Sequence, residues 1–387
     1  MPSYNMLPKA PLLFRDGRPF GADAAYIAET LPFPLPSTVA GAFRTAYGDT
    51  HEVDFAKSAE ELLKVDVAGP LMTQVDTRGG TKKVLVPAPA DALCLNEDEG
   101  KIYYRLSPMA LSDDTEGMDL PDNLCPIVPT TKSKSKPASA APAYWHLDRM
   151  VDWLSNDTIL KVKAERAGVE RLPIEVRTHL GVDRKTLTAE HGRLFETSGL
   201  DFGEQKFSGK KNNGWCSHHY GLLVHSTAEL NSTYRTLGGE SRLACIERDD
   251  TLWPACPEKL KKELCSSRGI RLQLVTPAIF DHGWKPGWLD DNLTGVLPGV
   301  GDLRVKLRAA AVPRWQAVSG WDMRLKANGK KQRGPKAVRR MVPAGAVYWF
   351  EVLSGSLSAA GAIWLKSISD QQANDGFGLA VPGVWNS

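Results

Sequence analysis

The alternation of apolar and polar positions predicts short strands separated by turns, with amphipathic helices between some of them. Runs of aliphatic, β-branched and aromatic residues indicate strands at 219–224, 243–246, 270–275 and 346–350. A helix is expected over 39–47, because Val39, Phe43 and Ala46 share one face after the N-cap signal of Ser37 and Thr38. Further helical patterns occur at 60–65, 145–167, 228–235, 257–265 and 357–372.

One order of elements occurs twice along the chain: a strand, a helix-compatible stretch, a glycine-containing turn and a second strand. The first copy spans 219–246 and the second spans 346–381. Two such copies predict an α+β fold with two ferredoxin-like, RRM-like domains of βαββαβ type. We expect these domains at 1–250, with an insertion at about 95–170, and at 251–387. Neither copy carries the aromatic RNP signature, so RNA reading by the sheet face is not expected.

The most distinctive charged stretch lies between 324 and 340, where eight cationic side chains occur without a carboxylate. They are Arg324, Lys326, Lys330, Lys331, Arg333, Lys336, Arg339 and Arg340. Such a run repels itself unless a polyanion lies against it. Gly329, Gly334 and Pro335 interrupt it, which favours a loop or hairpin tip over a continuous helix. A solvated loop that binds nothing is the alternative.

Two glycine turns are candidate phosphate sites. Gly238 and Gly239 precede one predicted strand, and Gly376 and Gly378 precede another. Closely spaced glycines let backbone N–H groups approach a phosphate, because no Cβ is in the way. A short G-x-G also marks an ordinary tight turn. The nearby basic run is what favours a nucleic-acid site.

Length and composition set wider limits. A chain of 387 residues predicts two or three domains, and 42% hydrophobic residues suffice for sizeable cores. The formal charge of +3 is small, so affinity for nucleic acid has to come from local clusters. The sequence contains no apolar run long enough to span a membrane, and its first residues, MPSYNMLPKAPLLF, do not resemble a secretion signal.

The cysteines favour a reducing, cytoplasmic location, because their spacings are wide and no C-x-x-C pair occurs. They are Cys94, Cys125, Cys216, Cys245, Cys256 and Cys265. Cys216 lies beside His218 and His219, and all three are metal-ligand types. Zinc needs four ligands, and nothing nearby supplies a second pair. No metal site and no cofactor are therefore expected.

Seven motifs in order resemble the RAMP superfamily of CRISPR-associated RNA-binding proteins, and their combination is similar to the family of subunit 3 of type III-B Cmr effector complexes. The motifs are LLFRDGRPFG, PFPLPSTVAGAFRTAYG, RTHLGVDRKTLTAEHGRLFET, LGGESR, RLQLVTPAIF, GWDMRLKANGKKQRGPKAVRRMVPAGAVYWFE and DGFGLAVPGVW. The resemblance covers nearly the whole chain and is weakest from about 95 to 170.

The resemblance implies a non-catalytic subunit of an antiviral ribonucleoprotein, one that caps the repeat-derived 5′ tag of the crRNA. Its implied partners are the large polymerase-like subunit and the adjacent backbone subunit, with target RNA contacted indirectly and no membrane. The implied RNA contacts are the basic run, the two glycine turns, Arg18, Arg44, Arg177 and Arg242. Ser241 departs from the pattern, since a glycine is expected there in the first turn.

A metal-independent endoribonuclease is the alternative, because some relatives in this superfamily cleave RNA with a histidine as general acid or base. His51 is the best placed, and the other candidates are His179, His191, His218 and His219. No Tyr or Lys is spaced to pair with His51 in particular. Motifs of NTPases, zinc proteases and serine hydrolases are missing from the sequence, so no enzyme is expected.

Overall fold

The computed structural model of the chain describes residues 1–15, 27–55, 58–76, 82–110, 120–121, 124–208, 214–322 and 334–386. Within these residues the fold is of the mixed α/β class and rich in strands. The chain forms two compact units of three segments each. The first unit comprises 1–82, 172–252 and 317–339, and the second comprises 83–171, 253–316 and 340–387. The sequence predicted two continuous domains instead, divided between 250 and 251.

The helices of the described residues are α1 (Pro36–Thr50), α2 (Ala59–Leu63), α3 (Leu147–Ser155), α4 (Ala164–Ala167) and α5 (Glu258–Ser266). Two 3-10 helices occupy Leu357–Ile363 and Ala373–Asp375. The strands up to residue 208 are β1 (Ser3–Pro8), β2 (Ile27–Ala28), β3 (Val67–Asp76), β4 (Lys82–Pro87), β5 (Ala92–Glu97), β6 (Gly100–Pro108), β7 (Ile127–Pro129), β8 (Tyr144–His146), β9 (Lys161–Lys163), β10 (Gly168–Val169), β11 (Ile174–Val182), β12 (Ala189–Leu200) and β13 (Gly203–Ser208).

The later strands are β14 (Gly214–Ser226), β15 (Thr233–Thr236), β16 (Leu243–Arg248), β17 (Gly269–Leu274), β18 (Thr294–Val296), β19 (Arg304–Ala311), β20 (Gln316–Val318), β21 (Trp321–Asp322), β22 (Gly334–Pro335), β23 (Arg339–Met341), β24 (Val347–Ser354), β25 (Lys366–Ser367) and β26 (Leu379–Trp385). Strands predicted at 219–224, 243–246, 270–275 and 346–350 are confirmed.

The main sheet of the first unit has the order β3-β14-β1-β16-β15. Its central strand β1 pairs antiparallel with β14 on one side and with β16 on the other. Helix α1 covers this sheet with Val39, Ala40 and Phe43, which are fully buried. The rings of Phe43 and Tyr4 lie 5.0 Å apart. The helix predicted at 39–47 is therefore confirmed, because its apolar face has a sheet to pack against.

A long hairpin of strands β11 and β12 belongs to the same unit. The strands pair antiparallel from Ile174 opposite Leu200 to Leu180 opposite Leu194, with a register shift before Val182. Strand β2 adds in parallel to β12.

The second unit is built on the sheet β18-β19-β24-β17-β26-β25. Strand β17 lies at its centre, and all six of its residues are buried. Ala309, Ala311, Val347 and Trp349 of strands β19 and β24 form one apolar cluster. Two smaller groups of strands complete the unit. Strand β8 pairs with β4 and β10, and β6 pairs with β5, β7 and β9.

Three helix predictions are wrong in whole or part, and a distant or backbone contact explains each. Residues 228–235 are not helical, because the Tyr4 hydroxyl donates to the Ala228 carbonyl and accepts from the Leu230 N–H. The predicted helix 145–167 ends at Ser155, where the side chain of Asn156 accepts the N–H of Thr158. The predicted helix 357–372 is a short 3-10 helix that stops before Leu365, whose φ is +54°.

The lysine- and serine-rich segment after β7 runs along β5 of the second unit. The Asn96 N–H donates to the Lys136 carbonyl over 3.0 Å, and the Ala138 N–H donates to the Cys94 carbonyl over 2.9 Å. Leu95 and Pro137 form an antiparallel bridge between them. This segment is thus attached to the edge of a sheet. Among the described helices, none has both the length and the apolar character needed to cross a membrane.

Candidate nucleic-acid interface

A cleft in the first unit brings together two arginines that the sequence predicted as RNA contacts, Arg177 and Arg242. The residues that line it are Pro11, Leu13, Glu175, Arg177, Thr197, Ser198, Gly199, Glu240 and Arg242. The cleft is therefore lined by the β11–β12 hairpin, by Pro11 and Leu13 of the segment that follows β1, and by the first glycine turn. Two carboxylates and two guanidinium groups thus come together along this cleft, while the Thr197 and Ser198 hydroxyls are bonded to His179 and to Ala28.

The β11 strand places Arg177 by simple alternation. Side chains two residues apart lie on one face of a strand, so Glu175, Arg177 and His179 share a face. These three are half-buried, whereas the intervening Ile174, Val176, Leu180 and Val182 are each at least 50% exposed. The usual pattern is thus inverted, with the polar face of the strand turned inward. Arg177 lies opposite Thr197 of β12, which also lines the cleft.

The first glycine turn places Glu240 and Arg242 in the cleft. The Gly239 N–H donates to the Leu13 carbonyl over 2.8 Å, and the Leu237 N–H donates to the Arg242 carbonyl over 2.8 Å. Gly238 has φ +76°, and a Cβ there would lie 2.6 Å from the Leu13 carbonyl oxygen. A larger residue at Gly238 would therefore push the turn away from Leu13.

The glycine expected at position 241 has a structural reason. Ser241 has φ +51° and its neighbour Glu240 has φ +58°, so both adopt the left-handed conformation that glycine favours. Ser241, which stands where the family pattern has glycine, therefore introduces backbone strain into this turn.

The charges of the cleft are balanced in two short pairs. Arg177 donates to the carboxylate of Glu175, and Arg242 donates through Nη2 to Glu240 Oε2 over 2.8 Å. The Arg177 hydrogen bond holds the pKa of Glu175 below its usual range, and the same bond raises the pKa of Arg177. Exposed pairs of this kind are weak, because water screens both charges. A phosphate group can therefore displace the carboxylates at low cost.

The second glycine turn is not a phosphate cradle, which corrects the sequence prediction for Gly376 and Gly378. Both residues are buried. The Gly378 N–H donates to the Pro277 carbonyl over 2.7 Å, and the Gly376 N–H donates to the Ala373 carbonyl over 3.1 Å. Their N–H groups are already used inside the second unit, so glycine is needed there for packing.

The predicted phosphate contact at Arg44 is also wrong for this structure. Arg44 is 5% exposed on the buried side of α1. Its Nε and Nη2 atoms donate to the Val65 carbonyl over 3.0 and 2.9 Å. The guanidinium therefore ties α1 to the segment that follows α2 instead of facing solvent.

The basic run is described in part. Arg18, Lys326, Lys330, Lys331 and Arg333 lie outside the described residues. On either side of the undescribed stretch, Trp321 pairs with Pro335 and Asp322 pairs with Gly334, as expected at the base of a hairpin. Trp321 is 59% exposed, and the half-buried Lys336 donates its N–H to the Gly320 carbonyl over 2.7 Å. This part of the first unit thus combines an exposed indole with a cation.

Two further cations of the run are described separately. Arg339 is half-buried at the end of the first unit. Arg340, in the second unit, is exposed, and its guanidinium lies 4.8 Å from the ring centroid of the half-exposed Trp315. A cation over an aromatic face is a weak attraction that leaves the guanidinium edge available to a phosphate.

No histidine is among the described residues that line this cleft, although His179 borders it through its bond to Thr197. His51 is bonded through Nδ1 to the Tyr47 carbonyl at 2.9 Å. His179 is bonded through Nε2 to the Thr197 hydroxyl at 2.8 Å and stacks on Phe195. Among the described residues, no group of three His, Cys, Asp or Glu side chains could hold a metal ion.

Sequence reasoning missed the two carboxylates that pair with the arginines. The signal was local, because both sites read Glu-x-Arg, at 175–177 and at 240–242. It also missed the hydroxyls of Thr197 and Ser198, which reach the cleft only through the pairing of β12 with β11.

Comparison with known proteins gives one family and a set of solved structures. The sequence model of a family described as CRISPR-associated protein (Cas_Cmr3) matches residues 4–385. No curated protein matches the chain. A chain in the cryo-EM structure of the type III-B Cmr-beta bound to cognate target RNA and AMPPnP, in state 1, is 13% identical, with a TM-score of 0.44 over 90% of this chain and 86% of that chain. A second, bound to cognate target RNA, is 15% identical with the same TM-score and coverage.

Proposed function

The chain belongs to the Cas_Cmr3 family of CRISPR-associated proteins, and from this membership we propose that it is a non-catalytic RNA-binding subunit of a type III-B Cmr effector complex. In this proposal it caps the repeat-derived 5′ tag of the crRNA, docks on the large polymerase-like subunit and contacts the adjacent backbone subunit. Target RNA is contacted indirectly, and no cofactor takes part.

Two ferredoxin-like modules are part of this proposal, and the order of strands supports them. The first unit contains β16-β1-β14-β3 and the second contains β26-β17-β24-β19. Within each set, the strand that comes first in the chain lies between the fourth and the third. The same permutation in both units favours two related modules whose helices differ.

The observation that carries the RNA-binding proposal is the cleft with Arg177 and Arg242; the first glycine turn shapes this cleft, but the Gly239 N–H is already used by the Leu13 carbonyl. These residues were singled out from separate parts of the sequence, and they line or border one space. Arginine suits phosphate, because its planar guanidinium forms two parallel hydrogen bonds. Glu175 and Glu240 hold the two guanidinium groups in position until a phosphate replaces them.

The strand pair beside the basic run, in which Trp321 lies opposite Pro335, supports the same proposal. Single-stranded RNA is bound through stacking on aromatic side chains and through cations along its backbone. Trp321 offers an exposed ring beside the cation Lys336.

The test measures how RNA affinity depends on salt. If about four phosphates of a single strand are neutralised, log affinity falls against log salt with a slope of about −3. The double variant Arg177→Ala/Arg242→Ala removes two of these contacts, so the slope should flatten to about −1.5. Fluorescence anisotropy with a crRNA that carries the 5′ tag provides the measurement.

A matched control removes two arginines that are also held by nearby carboxylates but lie outside the cleft. Arg248 pairs with Asp250 over 2.9 Å, and Arg149 pairs with Asp152 over 3.6 Å. The variant Arg248→Ala/Arg149→Ala should leave the slope unchanged. Equal salt slopes for the two double variants would show that the cleft does not bind RNA. A triple change of Lys330, Lys331 and Arg333 to Ala tests the basic run in the same assay.

The non-catalytic part of the proposal is tested against the endoribonuclease alternative. The purified chain is incubated with repeat RNA in EDTA, and the products are separated on a denaturing gel. We expect intact RNA, because the cleft-lining residues described include no histidine. Specific cuts that disappear in His51→Ala and persist in His191→Ala would overturn the proposal in favour of a nuclease.

A further inference from the structure

The segment that follows β7 in the second unit contains three lysines at alternate positions, Lys132, Lys134 and Lys136. All three are exposed. Among the described residues, no carboxylate lies within ion-pair distance of them, as is also the case for Lys101 and Lys161 nearby. Three cations in an extended segment repel each other, so their alignment needs a structural cause.

The cause is a clamp formed by Glu97 at the end of β5. The Ser133 hydroxyl donates to Glu97 Oε1 over 2.9 Å, and the Ser135 hydroxyl donates to Oε2 over 2.8 Å. The Tyr104 hydroxyl also donates to Oε1, over 2.6 Å. One carboxylate thus accepts from three hydroxyls, and it fixes both serines between the lysines.

The backbone of the segment is held at its far end as well. Lys136 accepts the Asn96 N–H, and Ala138 donates its N–H to Cys94. Both serine side chains are bonded to Glu97, whereas the three lysines beside them stay exposed.

The neighbouring strands β6 and β9 carry further cations, and the β5–β6 turn carries acidic residues. Lys101 lies on β6, and Lys161 and Lys163 lie on β9, which pairs with β6. Lys161 lies 4.8 Å from the ring centroid of Tyr104, beside the clamp. The nearby acidic residues are at the β5–β6 turn, where Glu99 pairs with Lys163 over 3.8 Å.

We propose that Lys132, Lys134 and Lys136, held by the Glu97 clamp, form a second binding surface for single-stranded RNA in this protein. The surface recognises the phosphate backbone and not the bases, because it offers lysine ammonium groups and no exposed aromatic ring. This inference rests on the proposed function for its ligand, but it concerns a different unit and different residues. It also assigns a role to the part of the chain where the family resemblance is weakest.

The test compares two triple variants of equal charge in the full-length chain. Lys132→Ala/Lys134→Ala/Lys136→Ala should weaken binding of a long single-stranded RNA and flatten the salt slope by about 2, since each lost phosphate contact contributes about 0.7. The control is Lys259→Ala/Lys261→Ala/Lys262→Ala, which removes three lysines on and beside α5 of the same unit. Equal salt slopes for the two variants would overturn the proposal that these lysines bind RNA.

A second variant separates the clamp from general charge attraction, because the two predict opposite signs. Glu97→Gln removes a negative charge, so simple attraction predicts tighter RNA binding. If the clamp aligns the lysines, Glu97→Gln weakens binding, and the same substitution in the triple lysine variant has no such effect. Tighter RNA binding by the Glu97→Gln variant would overturn the proposal that Glu97 aligns the lysines.

The outcome is also separable from that of the proposed function. Each variant is measured with a tagged crRNA and with an RNA of equal length whose 5′ tag is scrambled. The triple lysine variant should weaken both RNAs by the same factor and keep any preference for the tag. A loss of tag preference in the wild-type chain would overturn the proposed function alone, whereas unchanged affinity of the triple lysine variant for both RNAs would overturn this inference alone.

Discussion

Gly378 offers a sharp test of whether the second glycine turn serves packing or RNA binding. Its φ is +73°, and a Cβ added there would lie 2.5 Å from the Ser369 Cβ and 2.6 Å from the Ser369 backbone nitrogen. Gly283 of the same unit has nearly the same φ, +76°, but a Cβ there would meet nothing within 4 Å. The two alanine substitutions therefore share the backbone cost and differ in the steric overlap.

The expected magnitudes follow from those two geometries. Left-handed backbone costs an alanine about 1–2 kcal/mol, and the lower entropy of the unfolded chain returns about 0.4–1 kcal/mol. Gly283→Ala should therefore lose about 1 kcal/mol of unfolding free energy. Overlap with a packed backbone adds about 1–3 kcal/mol, so Gly378→Ala should lose about 2–4 kcal/mol.

Urea unfolding followed by far-ultraviolet circular dichroism measures the difference, with crRNA affinity measured on the folded variants in parallel. We expect a clearly lower unfolding midpoint for Gly378→Ala than for Gly283→Ala, with equal RNA affinity where both are folded. Equal midpoints would refute the steric reasoning. A Gly378→Ala chain of normal stability with weakened RNA binding would restore the phosphate role to this turn.

Three further predictions concern stability. Asp91→Asn should destabilise the second unit by about 3–5 kcal/mol in urea, because it removes the carboxylate that lies 2.5 Å from the fully buried Arg271; the exposed Glu99→Gln should change stability by less than about 0.5 kcal/mol, and equal effects would contradict this. Ser241→Gly should raise the stability of the first unit by about 1 kcal/mol, since it relieves left-handed strain; a lower melting temperature would contradict it. The pKa of Glu97 lies below its ordinary 4.5 because of hydrogen bonds from Tyr104 first and then two serines, so its stabilisation should be complete above about pH 4.5 and be lost as pH falls through the folded pKa; a carboxyl NMR titration with a midpoint at or above 4.5 would contradict it.

The elements that the sequence predicted well are those whose signals are local. Helix α1 follows from a 3.6-residue apolar pattern and a proline at its start, and it extends from Pro36 to Thr50. The central strands follow from dense β-branched and aromatic runs such as that of β24. The Gly238–Gly239 pair also predicted the first turn, whereas the glycine expected at 241, where the backbone is left-handed, came from the family resemblance.

The errors arise where a residue far away in the chain decides the outcome. Residues 228–235 have a helical pattern but form no helix, because the Tyr4 hydroxyl, more than 220 positions earlier, bonds to the Ala228 carbonyl. The second glycine turn has the right residues for a phosphate site, but the carbonyl of Pro277 takes the N–H of Gly378. Arg44 could be identified as a cation from the sequence, but its burial depends on how α1 meets the Val65 carbonyl.

The central position of β1 has a consequence for how the protein is made. Its neighbours β14 and β16 end at Ser226 and Arg248, so the sheet closes only when 240 residues after Pro8 have left the ribosome. At about 5–20 residues per second, this takes roughly 12–48 s. Both edges of β1 stay unpaired until β14 has emerged, and one edge stays unpaired until β16 has, so we expect the nascent chain to be a preferred client of ribosome-associated chaperones.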